Sequence, residues 1–181
     1  MLDLAAKHTD ALKLKFSDIT FDERFMFYYM DDYRDEYKPK DSTWNQNEFV
    51  SLDSEGNIIG FIGYGIHRVD RRAESLRVVN FTLKPNPTFS KDLAQAIDDI
   101  FCKFNLRTLT YCAIVDNPAC KIWDKFTEHY GGQIVGDYKK IHRLLDNRFY
   151  DKRVYQLLRD DYIKHRPKVF EKQRKAVIIN E

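Results

Sequence analysis

Residues 117–136 read NPACKIWDKFTEHYGGQIVG, and the folding of this stretch decides the arrangement of everything around it. Asn followed by Pro is a turn and helix-starting pair, since the Asn side chain can accept an orphan backbone N–H and proline is preset for a first helical turn. Two glycines, Gly131 and Gly132, then end the helix, one of them suited to the left-handed cap. The chain returns at once as the strand QIVGDYKKIHRLL. Just upstream, TLTYCAIV is a continuous apolar run of the kind found in a strand buried on both faces. The unit is strand, turn, helix, turn, strand.

On the N-terminal side lies a plain hairpin. Phe49 to Leu52 and Ile58 to His67 are apolar runs joined across DSEGN. RVDRRAES reads as a charged turn, LRVVNFTLKP as a third strand closed by Pro85, and SKDLAQAIDDIFCKFNL as a helix with Ser90 at its N-cap. Further upstream, ALKLKFSDI alternates apolar and polar residues and predicts a strand. Phe25, Met26, Tyr29 and Met30 have helical spacing, and Lys38-Pro39-Lys40-Asp41 breaks that helix. After DNRFY, a last strand and helix span DKRVYQLLRDDYIKHR. The order predicts a mixed α/β fold, antiparallel strands first and crossovers later. One domain is expected over residues 1–166, with a basic tail at 167–181.

The chain has 181 residues, 43% hydrophobic and 32% charged, with a net charge of +2. These values fit a soluble globular protein and give no reason to expect nucleic acid as a partner. No apolar run approaches a membrane span and the start has no signal-peptide core, so no membrane partner and a cytoplasmic location are expected. Three cysteines without CxxC spacing indicate neither a disulfide framework nor zinc. Charge is unevenly spread: from Asp18 to Glu36 there are seven acids against two arginines, and from Lys152 to Lys175 nine Lys and Arg against three acids.

From Thr108 to Tyr155 the order of an apolar strand, Asn117, a helix, Gly-Gly and YGGQIVGDYKKIHRLLDNRFYDKRVYQLLRDDY resembles the GNAT acetyltransferase superfamily, nearest its ribosomal-protein and small-amine branches. The resemblance spans roughly residues 12 to 162. It implies a GNAT acyl-CoA N-acyltransferase fold in which two parallel strands splay apart and hold acetyl coenzyme A between them. It further implies an N-acetyltransferase that moves an acetyl group from acetyl-CoA directly to a primary amine of a small molecule or protein. No metal is implied, and a homodimer is compatible with it. By the same resemblance Phe81, Thr82 and Leu83 on the donor-binding strand lie nearest the pantetheine arm and supply a backbone N–H to the oxyanion. Thr88, Ser90 and Lys91 serve the pyrophosphate, Asn117 bonds the arm, and Trp123 lines the acyl pocket. The acidic, aromatic segment with Tyr29, Asp32 and Tyr33 falls where the acceptor amine binds. A histidine near neutrality suits a general base, and His67 is the candidate, with Glu74 and His142 behind it.

Two departures stand beside the match. The family's glycine-spaced phosphate loop is replaced by KPNPTFSKDL, and no glycine occurs between Gly65 and Gly131. Seven residues after Asn117, where a catalytic Tyr is usual, stands Asp124. They favour the rival reading, a non-catalytic module with a degenerate cofactor cleft.

Overall fold

Leu12 and Phe16 lie one helical turn apart, and burying both on one side overrides the alternation that predicted a strand there. Residues Thr9–Ile19 form helix α1, with Leu12 and Phe16 buried and Leu14 68% exposed. The strand expectation is therefore corrected: the face is set by the four-residue spacing, and Leu14 is an apolar residue left in solvent. In this computed structural model, residues 1–28, 37 and 44–166 are described.

The chain opens with a short strand, β1 (Leu2–Leu4), which the sequence did not announce. A 3-10 turn, α1 and a second 3-10 segment, Glu23–Tyr28, lead to β2 (Gln46–Leu52), β3 (Ile58–His67) and β4 (Arg72–Asn80). Helix α2 (Pro87–Cys102), β5 (Thr108–Ile114), α3 (Pro118–His129), β6 (Gln133–Arg143), β7 (Phe149–Leu158) and α4 (Arg159–His165) complete it. All seven strands join one sheet in the order β1-β2-β3-β4-β5-β7-β6. Every neighbouring pair is antiparallel except β4 and β5.

Three boundaries move relative to the sequence reading. The charged turn is only residues 68–71, and β4 begins at Arg72. Helix α2 starts at Pro87, and its cap is Asn86, whose side chain accepts the Phe89 N–H, in place of Ser90. Strand β4 stops at Asn80, and residues 81–84 form a turn with Leu83 at a φ of 56°.

The sheet is covered on both sides. On one face α1 packs Leu12 and Phe16 against Val50, Phe61, Val79 and Tyr37. On the other, α2 lays Phe89, Ile97 and Ile100 over Ile62, Tyr64 and Leu109. Gly60 is what lets α2 come so close, because a Cβ there would lie 2.2 Å from the Phe89 ring. Helix α3 adds Cys120 and Trp123 to the same layer. Tyr162 of α4 stacks on Phe101 at 4.8 Å and sits 5.1 Å from Tyr130. Asp98, buried on α2, accepts from Tyr162 and takes two hydrogen bonds from Arg166, which ties the end of α4 to the core.

The helix read from residues 117–136 ends as expected. The Gly131 N–H reaches the Glu128 carbonyl at 3.1 Å and the Gly132 N–H the Thr127 carbonyl at 2.8 Å, a Schellman pair. Gly131 has a φ of +71°, the left-handed value that glycine adopts without strain.

Candidate active site

Strands β4 and β5 run parallel but share only two rungs, Arg72↔Thr108 and Ala73↔Leu109. On their far sides both stay paired to their carboxyl ends, β4 with β3 to Asn80 and β5 with β7 to Ile114. A bulge parts them. The β3–β4 register slips between Gly63 and Gly65, and Ser75 takes a φ of 54° within the slip. An extra residue of this kind bends its strand and deepens the local twist. Beyond it the two strands diverge toward their carboxyl ends, the place where open α/β sheets bind ligands.

The direction of the unpaired groups follows from strand alternation. The Phe81 N–H bonds the Ile59 carbonyl on β3. Counting back in twos, Val79 and Arg77 also face β3, so the Val78 N–H and the Val78 and Leu76 carbonyls face the gap. The Asn80 N–H faces it too and is met by the Tyr28 hydroxyl. On β5 the Val115 N–H goes to Asp151 beside β7, which turns Thr110, Cys112 and Ile114 toward the gap. Backbone groups held apart in this way want a ligand or water with amide-like donors and acceptors.

At the carboxyl end of β4 the fit is poorer. The N–H groups of Phe81, Thr82, Leu83 and Phe89 are bonded to Ile59, Asn80 Oδ1, the Asn80 carbonyl and Asn86 Oδ1. Pro85 and Pro87 have none. Thr88, Ser90 and Lys91 are all exposed on the first turn of α2, their side chains open to solvent. Phe81, Thr82 and Leu83 were expected as extended strand along the arm, and the structure corrects this: Asn80 folds its amide over the turn, donating to the Lys84 carbonyl and accepting from Thr82.

Asn117 and Trp123 belong to the cap and body of α3, which follows β5. Asn117 is the N-cap of α3, its Oδ1 accepting the Ala119 N–H at 2.9 Å. Trp123 packs at 5.0 Å on Tyr111 of β5 and at 5.5 Å on Phe126. Asp124, the next residue, reaches β7. It accepts from the Tyr155 hydroxyl at 2.8 Å and pairs with Arg153, which also holds Asp137 of β6. Cys120 Sγ lies 3.1 Å from the same hydroxyl. Burial, together with Cys120 and Asp124, pushes the Tyr155 phenol far above its ordinary pKa, so it stays protonated and donates. The residue at the expected Tyr position thus clamps α3 to β7.

His67 is not brought to this gap. It pairs with Arg72 at the end of β3 where β4 begins, and its Nδ1 lies 3.0 Å from Asp70. The length of β4, about 25 Å at 3.3 Å per residue, separates it from the mouth. Glu74 is bound to Arg72 at that same end, and His142 lies on β6 across from Tyr150. Tyr29, Asp32 and Tyr33 lie outside the described residues.

Beside the bulge is a feature that sequence reasoning missed. Glu48, Gly63 and Arg77 form one row across β2, β3 and β4. Because Gly63 has no side chain, the Arg77 guanidinium crosses β3 and meets Glu48 Oε1 at 2.7 Å, both side chains 7% exposed. A Cβ on Gly63 would lie 3.0 Å from Arg77 Nη2. Tyr37 and Gln46 donate to the remaining positions of the Glu48 carboxylate, and the guanidinium sits over the Phe61 ring. The spacing of Gly60, Gly63 and Gly65 within one buried strand was the available signal. On the β5 wall, burial raises the pKa of the Cys112 thiol despite Lys152 nearby. Among the described residues no group of His, Cys, Asp and Glu could hold a metal ion, and no helix is long and apolar enough to cross a membrane.

No family model matches the chain, and no curated protein matches it. Solved structures do. A point mutant of the spermidine N-acetyltransferase SpeG from Vibrio cholerae superposes with a TM-score of 0.64 at 19% identity, over 90% of this chain and 96% of that one. The same spermidine/spermine N-acetyltransferase in complex with manganese ions gives 0.64 at 16%, covering 92% and 96%. A dodecameric form in an intermediate state gives 0.60 at 18%, covering 72% and 82%. The likeness is one of fold: the chain has the mixed α/β architecture of the GNAT acetyltransferases.

Proposed function

We propose that this protein is an N-acetyltransferase that passes an acetyl group from acetyl-CoA to a primary amine of a small molecule. The observation that carries the reading is the parallel pair β4/β5, joined at two rungs and open beyond them. An amide-rich pantetheine arm fits such an opening as an added strand would, bonding backbone groups of Val78 on one side. Its thioester end then points inward toward the Ser75 bulge. Acetyl-CoA supplies an activated acyl carbon. The residues of this chain position it: a β4 backbone N–H near the bulge is the candidate donor to the developing oxyanion, and Asn117 and Trp123 form the opposite wall. The amine must arrive deprotonated and aligned, because orientation carries much of such a barrier.

Polyamines are the first acceptors to try, since the fold is shared with spermidine N-acetyltransferases. The test is thermal stabilisation by CoA together with mass spectrometry of spermidine incubated with protein and acetyl-CoA. A rise in melting temperature with one acetyl group added to an amine supports the reading. Neither stabilisation nor acetylation of any amine in a panel sinks it.

A further inference from the structure

We propose that the donor is recognised through its pantetheine arm alone, so that an acyl-pantetheine without pyrophosphate or nucleotide serves this protein about as well as acyl-CoA. The inference rests on the function proposed above and concerns how the same cleft divides its contacts. The gap between β4 and β5 keeps unpaired backbone groups at Leu76, Val78 and Cys112, matching the amides of the arm.

The place where a pyrophosphate would lie is built differently. A helix start binds an anion through several converging N–H groups. Here Pro87 opens α2 without one, and the Phe89 N–H is taken by the Asn86 side chain. In the preceding turn Pro85 has no N–H, and those of Phe81, Thr82 and Leu83 are used within the protein. Among the described residues 81–89, an N–H is left to offer by Lys84, Asn86 and Thr88, each separated from the next by a proline or by the cap. Leu83 already occupies the left-handed position, at a φ of 56°, and no glycine lets the backbone close on a ligand. Lys84 in the turn after β4, Lys91 on α2 and Lys121 on α3 are exposed. Exposed charges of this kind attract an anion weakly and are screened by salt.

The chemistry is the same for either donor. The amine nitrogen forms a bond to the acyl carbon, the C–S bond breaks, and the thiol leaves with the proton that the amine gives up. What differs is the share of binding energy outside the arm.

The experiment is calorimetry on the full chain with CoA and with pantetheine, followed by KM values for acetyl-CoA and S-acetylpantetheine. The two dissociation constants are expected within about tenfold, roughly 1.4 kcal/mol. At about 0.5 M salt, where the Debye length is near 4 Å, the gap should narrow to a few-fold. A preference for CoA of more than tenfold that survives this salt overturns the inference while leaving the proposed function standing. Absence of binding by both compounds overturns both. Asn86→Gly gives a second check: freeing the Phe89 N–H should raise affinity for CoA and leave that for pantetheine unchanged. An equal change for both ligands contradicts the assignment.

Discussion

The two halves of the sheet are held in opposite ways. Strands β1 to β4 are enclosed by α1 on one face and α2 on the other, and a buried Glu48–Arg77 pair is sunk between them. Strands β5, β7 and β6 are covered by α3 and α4 on one face. Their outer hairpin is tied by surface pairs such as Asp137–Arg153 and Lys139–Asp151. Strand β6 is an edge with Ile134, Val135, Tyr138 and Ile141 largely exposed. One wall of the β4/β5 gap is therefore enclosed on both faces. The other gives Leu109, Tyr111, Tyr155 and Leu157 to the same buried cluster, but its outer hairpin is finished by polar contacts at the surface.

This contrast can be broken at the first half with the largest effect. Glu48→Ala leaves the Arg77 charge buried beside Phe61, and loss of one partner of a buried pair costs about 3–5 kcal/mol. Urea unfolding should show it, and a loss below 1 kcal/mol would mean that the row does not brace β4. Gly60→Ala comes next. Its Cβ would overlap the Phe89 ring, and overpacking of this kind costs about 1–3 kcal/mol. Restoration by the double change with Phe89→Leu would identify that contact as the cause.

The two helix starts beside the gap sharpen the comparison, because both are Asn-Pro. Asn86→Ala and Asn117→Ala each remove a cap, at about 1 kcal/mol. Only Asn117→Ala should also weaken donor binding, measured as a CoA dissociation constant. An equal loss for Asn86→Ala would place donor contacts where none are assigned.

The smallest effect is on the second half and depends on pH. The Arg153 hydrogen bond holds Asp137 below the usual carboxylate range. The Lys140 N–H, then Lys139, do the same for Asp151. Folded pKa values below the unfolded ones give a contribution that is complete above about pH 4 and is lost as pH falls through the folded values. The protection of β6 amides, taken relative to their intrinsic exchange rate at each pH, should fall on acidification from pH 5 to pH 3 while α2 keeps its protection, and Asp137→Asn should flatten that response. A uniform loss of protection across both halves would contradict the division.

The sequence was most readable where a signal is local. The β2–β3 hairpin, the β5 run and the Asn-Pro to Gly-Gly unit all carry their turn residues within a few positions. It misled at α1, where Leu12, Leu14 and Phe16 alternate but only the first and last reach the core. The end of β4 was also misread, because Asn80 caps a turn that its neighbours do not announce. Contacts between distant residues were invisible: nothing near Asp124 points to Tyr155, and nothing near Ser75 marks a bulge whose role depends on β5. His67 was chosen for its chemistry, while the strand carrying it runs to the other end of the sheet.

Hydrogen exchange of the Val78 and Cys112 amides, with and without CoA, tests the central claim most directly. Both N–H groups face the gap without a strand partner, so the free protein should exchange them quickly for interior positions. Saturating CoA should protect Val78 strongly, and Cys112 to a lesser degree, while β6 amides stay unchanged. If CoA binds and the Val78 amide exchanges as before, the arm does not lie along β4, and this account of the cleft is wrong.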